Sequence, residues 1–443
     1  MFSGLAALLQ QMMRIILFIT IFALLFGCSS GLNYRKLNHH LSSNNCKSAV
    51  EYMEQTEGDY GSNAKLLFLL DSAMVNMYCG NFEISQKSFH KAEDLADILW
   101  TKSVSKNIFS LVSNEYVLPY NGEDFERAMI NLMSAIGYLQ ADQVDEALVE
   151  FRRLDALLTL YNSKYEKKNV YKEDAFARYL SGIVHETDKE LDDAFIDYYK
   201  ACQIYAEYKE AYGTHAPSSL EEDLLRVAEI VDRMDEAKSV VPDVEKRFWL
   251  KQQDAADLGK IVFIQFIGHS PLKTENIIFI PTHYGPVTLA FPKFSIDPPQ
   301  CRNSLITLTS ASNTTESKTV LVEDINQIAV KNLSDRKGRV VAKTIARAIA
   351  KQIAIKEISE LNRDDWEQTI RVLLNLVNSA IERADTRSWR TLPGEIYLAR
   401  VFVPAGHYQL SVSRCGVAKK RTEPVKINVG ETRYILHDSR YSF

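Results

Sequence analysis

A long helical pattern constrains the fold of this chain more than any other feature of its sequence. From Asn45 to about Glu245, prolines are few and apolar residues recur at intervals of three and four, as in amphipathic helices. Small and aromatic residues form three triplets, each preceded twelve places earlier by another small residue. Because small residues allow two helices to approach closely, this pattern predicts stacked helix pairs. The triplets are Ser85-Phe89-Ala92, Ala147-Phe151-Leu154 and Ala194-Tyr198-Ala201, and the preceding residues are Ala73, Ala135 and Gly182.

The arrangement resembles tetratricopeptide (TPR) repeats, which place small residues where two helices touch and an aromatic residue between them. The triplets begin at residues 85, 147 and 194, farther apart than the ~34 residues of a regular TPR array. We therefore expect inserted segments between the pairs. An irregular helical bundle is the alternative. A stacked array would offer a face that binds a peptide, a helix or another subunit.

Near residue 250 the apolar period changes from helical to two, as in GKIVFIQFIG and NIIFIPT, which is typical of strands. The predicted fold class is therefore α + β multidomain. An N-terminal all-α, TPR-like domain spans 45–250, and a β-rich domain spans 251–443. Two helices are expected within the β-rich domain, near 335–358 and 362–384.

The first residues carry a targeting pattern. Arg14 precedes a short apolar run, Ile15 to Phe26, which falls short of the ~20 residues that a membrane-spanning helix needs. The ending Leu25-Phe26-Gly27-Cys28 resembles a lipobox, so we expect a signal peptide over 1–28 and lipidation of Cys28. The start codon of the true chain is expected at Met12 or Met13. An uncleaved anchor and a non-lipidated signal are the alternatives.

Residues 29–44 are mostly polar, which predicts a flexible tether after the lipid. By resemblance to Gram-negative lipoproteins, Ser29 favours sorting to the outer membrane, with the protein facing the periplasm. The formal net charge of −5 argues against a nucleic-acid partner.

Five cysteines remain beside Cys28, and an oxidising periplasm would permit disulfides among them. Cys46 and Cys79 are expected at the meeting ends of a helical hairpin, where they either pair or remain buried thiols. Cys301 and Cys415 could pair, although their spacing does not require it. Cys202 lies beside a packing position, which predicts a buried thiol.

An arginine-rich segment follows the second inserted helix and offers a candidate site. Its charges could form a structural network that locks helix to sheet, with the tryptophan packed over a guanidinium. The alternatives are an anion or glycan site in which the tryptophan stacks on a sugar, and an interface. The residues are Arg383, Asp385, Arg387, Trp389 and Arg390.

A basic stripe is expected along the first inserted helix, on the side opposite its apolar residues. A solvated or ion-paired face is one interpretation, and contact with anionic lipid or an acidic partner is the other. The stripe consists of Arg336, Arg339, Lys343, Arg347 and Lys351.

Catalytic patterns are weak. Gly268-His269-Ser270-Pro271 lacks the second glycine of a nucleophile elbow, and the sequence has no P-loop, H-E-x-x-H or paired C-x-x-C. We therefore expect no cofactor and no metal site, and a hydrolase is a third hypothesis only. The charged stretch from Glu123 to Arg127 is expected to be a loop entering a helix N-terminus.

Four stretches together, YNGEDFERAMINLMSAIGYL, GHSPLKTE, KTIARAIAK and ERADTRSWRTLPGEIYLARVFVPAGHY, resemble a family of largely uncharacterised Gram-negative outer-membrane lipoproteins with a TPR-like N-terminal half. Members look to be encoded near lipoproteins that activate penicillin-binding proteins, which implies a role in the cell envelope. The resemblance implies no catalytic residues.

The sequence therefore predicts a non-enzymatic, membrane-anchored lipoprotein that acts as a scaffold or as an assembly or regulatory factor. Its helical repeats would bind an envelope protein and its lipid would enter the membrane. The alternative is a lipoprotein that binds peptidoglycan or another glycan through residues 383–390.

Overall fold

The computed structural model describes residues 32–105, 118–164, 171–282, 285–360, 383–415 and 417–441. Helices precede strands along the chain, with one long helix inserted among the strands. The helices are α1 Tyr34–Ser42, α2 Cys46–Gln55, α3 Lys65–Tyr78, α4 Phe82–Ser105, α5 Asp124–Gln140, α6 Val144–Lys164, α7 Ala175–Thr187, α8 Leu191–Tyr212, α9 Ser218–Ile230, α10 Met234–Val240, α11 Gln252–Ala255 and α12 Ile325–Glu360. The strands are β1 Leu258–His269, β2 Leu272–Thr282, β3 Gly285–Ser295, β4 Ser304–Thr309, β5 Thr314–Lys318, β6 Val320–Asp324, β7 Pro393–Pro404, β8 Gly406–Arg414, β9 Val417–Ile427 and β10 Thr432–Asp438.

The predicted α + β class with paired helices is confirmed. Helices α3 and α4, α5 and α6, and α7 and α8 pack as consecutive pairs, and all the small residues and triplets named above are buried. In the first pair, the Ser85 hydroxyl donates a hydrogen bond of 2.8 Å to the Ala73 carbonyl. In the third pair, a Cβ atom on Gly182 would lie 2.5 Å from the Tyr198 ring. The small residues therefore set the distance between the two helices of a pair.

Replacing Gly182 with alanine is expected to lower the free energy of unfolding by about 1–3 kcal/mol, because the added methyl overlaps the buried Tyr198 ring. Thermal unfolding of the full chain measures the change. Gly338, on α12, has no atom near its hypothetical Cβ. The matched Gly338→Ala change should therefore be neutral or raise stability by up to about 1 kcal/mol. Equal effects at both positions would contradict close packing at Gly182.

The strands form two four-stranded sheets and a separate hairpin. One sheet has the order β10-β1-β7-β6, the other has the order β5-β4-β8-β9, and among the described strands β2 pairs only with β3. In the first sheet, β1 is parallel to β10 and antiparallel to β7. Both neighbours of β1 come from the C-terminal part of the chain, so this sheet closes only when residues after 393 have folded back.

The first sheet is the middle of three layers. Val262, Ile264 and Phe266 of β1 join the core shared with the helices, whereas Ile261 and Phe263 point to the opposite face and pack against the second sheet. Because successive side chains of a strand point to opposite faces, a strand buried on both faces reads as a continuous apolar run. The helical and β halves therefore share one hydrophobic core.

The segment predicted to be a flexible tether contains a helix in the structure. Residues 34–42 form α1. The preceding residue, Asn33, caps this helix, because its side chain accepts a hydrogen bond from the Lys36 amide. Leu37 and Leu41, four residues apart, are buried in the common core. The prediction was wrong because a single pair of leucines in a short polar stretch is a weak helical signal.

The inserted helix α12 begins ten residues earlier than predicted, at Ile325 instead of Asp335. Asp324 accepts a hydrogen bond of 2.9 Å from the Gln327 amide, and Ile328 is buried against the helical half. The predicted helix near 362–384 falls largely outside the described residues, and 383–389 have no regular secondary structure. Among the described helices, none is both long enough and apolar enough to cross a membrane.

The five cysteines among the described residues form two disulfides and one buried thiol. Cys46 and Cys79 are bonded across the ends of α2 and α3, with Cα atoms 5.4 Å apart. Cys301 and Cys415 are bonded with Cα atoms 6.0 Å apart, which joins the segment before β4 to the end of β8. Cys202 is free and buried.

Candidate functional site

One buried acidic residue from the first helix of each successive pair faces the β half. These carboxylates form what we call the acidic ladder, which runs along the face made by α3, α5, α7 and α9. Each rung receives at least one donor from the β half, so this face of the helical array is occupied by the protein's own strands. The rungs are Asp71, Glu126, Glu186 and Asp223.

The first rung, Asp71, is held by hydroxyl groups. Tyr34 donates a hydrogen bond of 2.6 Å, Tyr60 one of 2.8 Å and Thr391 one of 2.6 Å to its carboxyl oxygens. Burial raises the pKa of Asp71, and the three hydroxyls oppose that rise. Thr391 lies just before β7, so this rung joins α1, α3 and the β half.

The second rung, Glu126, is part of a capping box at the start of α5. It accepts hydrogen bonds of 2.7 Å from the Glu123 and Trp389 amides, and one from the Tyr120 hydroxyl. Burial, with the Glu123 carboxylate nearby, raises the pKa of Glu126 to about 7. The predicted helix N-terminus is present here, since α5 begins at Asp124 and is capped by Glu123 and Glu126.

Glu123, beside the second rung, carries the opposite pKa shift. Burial would raise its pKa, but the ion pairs with Lys273 of β2 and Arg336 of α12 lower it well below its usual value. This carboxylate therefore holds the base of the β2–β3 hairpin and α12 against the helical array.

The third and fourth rungs, Glu186 and Asp223, share a buried ionic cluster. Arg400 of β7 donates a hydrogen bond of 2.8 Å to Glu186 and pairs with Asp223. Arg226 pairs with both carboxylates, and Lys260 of β1 lies 3.0 Å from Glu186. Burial would raise the pKa of Glu186, but these three cations lower it well below its usual value.

The arginine-rich segment belongs to this interface. Arg387 forms two hydrogen bonds with Asp385, of 2.8 and 2.7 Å, and donates to backbone carbonyls of Asn63 and Leu118. Its guanidinium also lies over the Tyr120 ring. These contacts join the segment to the loops on both sides of α3 and α4.

Trp389 is completely buried, with 0% exposure, and its ring packs edge-on against Phe89. Its indole N–H donates a hydrogen bond of 3.0 Å to Thr391. Trp389 therefore offers no surface on which a sugar could stack, which removes the basis of the predicted glycan site. Arg383 and Arg390 are exposed, and the Arg390 guanidinium lies over the Tyr34 ring.

The predicted basic stripe lies on α12, but only one of its side chains is described. Arg336 pairs with Glu123 and lies 3.5 Å from Asp124, so its charge serves the interface with α5. The side chains of Arg339, Lys343, Arg347 and Lys351 lie outside the described residues.

Glu323 of β6 is a buried acid that no sequence motif marks. It is fully buried, and its hydrogen bond comes from the Tyr208 hydroxyl at 3.4 Å. No described cation pairs with it, and Asp174 lies close enough to repel its charge. Burial therefore raises the pKa of Glu323 well above its usual value, and the repulsion adds to the shift.

Glu323→Gln is expected to raise the unfolding temperature at pH 7 and to change it little near pH 4. Because the pKa of Glu323 is raised in the folded state, its protonated form contributes its full stability below about pH 4.3, the pKa of glutamate in the unfolded chain. This contribution is lost as the pH rises through the folded-state pKa. Glutamine keeps the neutral form at every pH. Glu210→Gln, at an exposed position of α8, is the control and should leave the pH profile unchanged. A Glu323→Gln profile parallel to that of the natural chain would contradict a buried neutral carboxyl.

One residue of the acidic ladder and two of its cationic partners could be recognised in the sequence as isolated charges. Asp71 stands in LLFLLDSAM, Lys260 in LGKIVFIQF and Arg400 in YLARVFV, so each is a lone charge in an apolar run. Such a residue needs a buried partner, but the sequence does not say which one.

Ser270 and His269 belong to the stretch that lacks the second glycine of a nucleophile elbow, and both lie in structural surroundings. The Ser270 hydroxyl donates to the Trp389 carbonyl. Burial, with help from Arg440, lowers the pKa of His269 to about 4. A group of side chains that could hold a metal ion is found among the described residues at the turn between α7 and α8, where ligand atoms of His185, Glu190 and Asp193 lie within 4.8 Å of one another.

The second helices of the first three pairs carry exposed apolar side chains. Five large apolar side chains on α4, α6 and α8 are 40% to 52% exposed, whereas within the described ranges α3, α5 and α7 carry none. A groove between α4, α5 and α6 has Trp100, Leu157 and Leu160 along its wall, with Asp97 and Arg153 beside them. The exposed residues are Ile84, Ile98, Val149, Leu160 and Ile196.

No protein-family model matches this chain, and no curated protein does. Among solved structures, MamA is 17% identical, with a TM-score of 0.28, and the match covers 46% of this chain and 88% of MamA. A Podospora anserina putative kinesin light chain with nearly identical TPR-like repeats is 14% identical, with a TM-score of 0.30 and coverage of 48% and 90%. BtubC from P. vanneervenii is 10% identical, with a TM-score of 0.32 and coverage of 47% and 76%.

Proposed function

We propose that this chain is a non-enzymatic lipoprotein that acts as a protein-binding scaffold in the cell envelope, anchored through Cys28 to the outer membrane and facing the periplasm. The proposed protein-binding surface is the outer face formed by α4, α6 and α8. The observation that carries this part is the set of exposed apolar side chains on these helices. A contiguous set of such side chains would mark a protein–protein contact.

The acidic ladder determines which face is available to a partner. Helical repeats have two faces, and here the face made by the first helices is filled by β1, β7 and the segment around Trp389. The second-helix face and the groove between α4 and α6 are therefore the surfaces of the array that a partner can bind. The polar rim of that groove, Asp97 and Arg153, would orient a partner whose apolar side chain enters beside Leu160.

A photo-reactive amino acid at Leu160 in the full chain, expressed in its own cells, tests the surface. We expect a discrete protein adduct from this position. The matched control is the same amino acid at Lys246, which is highly exposed and lies outside the proposed surface. Adducts of the same pattern from both positions, or none from Leu160, would remove the support for this face.

The membrane anchor is supported by the lipobox-like sequence that ends at Cys28. The natural chain is expected to partition into the detergent phase of a cloud-point extraction, and Cys28→Ser into the aqueous phase. Cys202→Ser is the matched control, because Cys202 is the buried thiol and should not affect partitioning. Detergent partitioning by Cys28→Ser would exclude the lipid anchor without affecting the proposal of a protein-binding surface.

A further inference from the structure

The hairpin of β2 and β3 is fixed at its base and exposed toward its tip. At the base, Lys273 pairs with Glu123, and Glu275 accepts a hydrogen bond of 3.0 Å from the Ala384 amide. After Glu275, each residue of β2 as far as Pro281 is exposed. The base thus holds the hairpin in a defined direction while the outer part of β2 meets solvent.

The two strands of the hairpin differ in their surroundings. β3 packs along α12, and its residues Thr288, Leu289 and Ala290 are buried. Their neighbours in the pairing of β2 with β3 are exposed residues of β2, which have 43% to 66% of their surface exposed. Four consecutive large apolar side chains in solvent are unusual for a strand, since alternate residues of a surface strand are normally polar. These residues are Ile277, Ile278, Phe279 and Ile280.

The outer edge of β2 is also unpaired, because within the described residues the sheet has only two strands. Proteins that remain monomeric protect such edges with charges, prolines, bulges or short strands. Here β2 has 11 residues, its pairing with β3 shows no register shift, and Asn276 to Ile280 contain no charge, glycine or proline. The edge has none of the usual protection over this stretch.

The chemistry of the edge selects the kind of partner. A bilayer would accept the apolar side chains but would leave the backbone N–H and C=O groups of the edge without hydrogen bonds, which is unfavourable in hydrocarbon. A partner strand pairs these backbone groups and covers the apolar side chains along the edge. A strand therefore fits this edge better than a bilayer does.

We infer that β2 pairs with β2 of a second copy of this chain, antiparallel about a two-fold axis near Ile278, so that two hairpins form one continuous four-stranded sheet. A two-fold axis makes the contact self-complementary. With Ile278 opposite its own copy, Asn276 lies opposite Ile280 and Glu275 lies opposite Pro281. The two Glu275 carboxylates therefore remain apart, and the centre of the contact is free of charge.

Cross-linking of the full chain tests the contact and its register. Ile278→Cys is expected to form a covalent dimer under mild oxidation, because the two cysteines face each other at the axis. Ile84→Cys is the matched control, since Ile84 is similarly exposed on α4, and should form no covalent dimer. Equal cross-linking at both positions, or none at Ile278→Cys, would overturn the proposed pairing.

Sedimentation equilibrium of the full chain provides the second measurement. The natural chain is expected to dimerise reversibly, and Ile278→Lys to weaken dimerisation at least tenfold without lowering the unfolding temperature. Ile84→Lys should leave dimerisation unchanged. A natural chain that stays monomeric, a dimer unaffected by Ile278→Lys, or a monomer that loses binding to phosphatidylethanolamine–phosphatidylglycerol vesicles when Ile278 becomes lysine would each overturn the inference.

Discussion

Replacing Arg400 with leucine is expected to lower the free energy of unfolding by about 3–5 kcal/mol, because removing one partner from a buried ionic group leaves the other charges uncompensated. Arg400 is the residue of the β half that contacts both Glu186 and Asp223 of the acidic ladder. Its guanidinium also donates a hydrogen bond of 3.0 Å to Tyr198. Thermal or denaturant unfolding of the full chain measures the change.

The control for Arg400 is a surface arginine in the same sheet. Arg433 of β10 pairs with Glu431 at 3.2 Å but is 44% exposed, and such pairs contribute about 0–1 kcal/mol. Arg433→Leu should therefore change stability by less than about 1 kcal/mol. A loss of similar size for the two arginines would mean that the cluster around Arg400 is solvated.

Trp389→Ala is expected to lower the free energy of unfolding by about 3–5 kcal/mol, since it removes a fully buried large side chain and leaves a cavity. The change also deprives Thr391 of its indole donor. Trp389→Phe keeps most of the packing against Phe89 and loses the N–H group, so a smaller loss of about 1–2 kcal/mol is expected.

Phe248→Ala is the control for Trp389, because Phe248 is 87% exposed and its removal should change stability by less than about 0.5 kcal/mol. If Trp389→Ala were as mild as Phe248→Ala, Trp389 would have to lie at the surface. In that case the stacking surface of the glycan hypothesis would be available again.

The helix pairs and the strands were predictable because their signals are local. The small residues at Ala73, Ala135 and Gly182 lie at fixed distances from their partners in the same helical hairpin, and the apolar period identified β1 and β2. Helix α1 was missed because two buried leucines do not outweigh a polar stretch, and α12 was shortened because its first turns are anchored by contacts with the helical half.

The interface itself was not predictable, because its partners are far apart in the chain. Arg400 and Asp223 are separated by 177 positions, and neither sequence neighbourhood identifies the other. The arginine-rich segment was recognised as a network or a site, but its acceptors, the Asn63 and Leu118 carbonyls, are backbone atoms that no residue pattern marks. Only tertiary contacts show what Arg387 and Trp389 touch in the folded chain.

The β half occupies the first-helix face of the array through the acidic ladder. A double-mutant cycle on Glu186 and Arg400 tests this contact, because one residue belongs to the array and the other to the β half. The measurement is unfolding of the natural chain, Glu186→Gln, Arg400→Leu and the double variant. We expect a coupling energy of at least about 1.5 kcal/mol, whereas losses that add to within about 0.5 kcal/mol would contradict direct contact between the two halves.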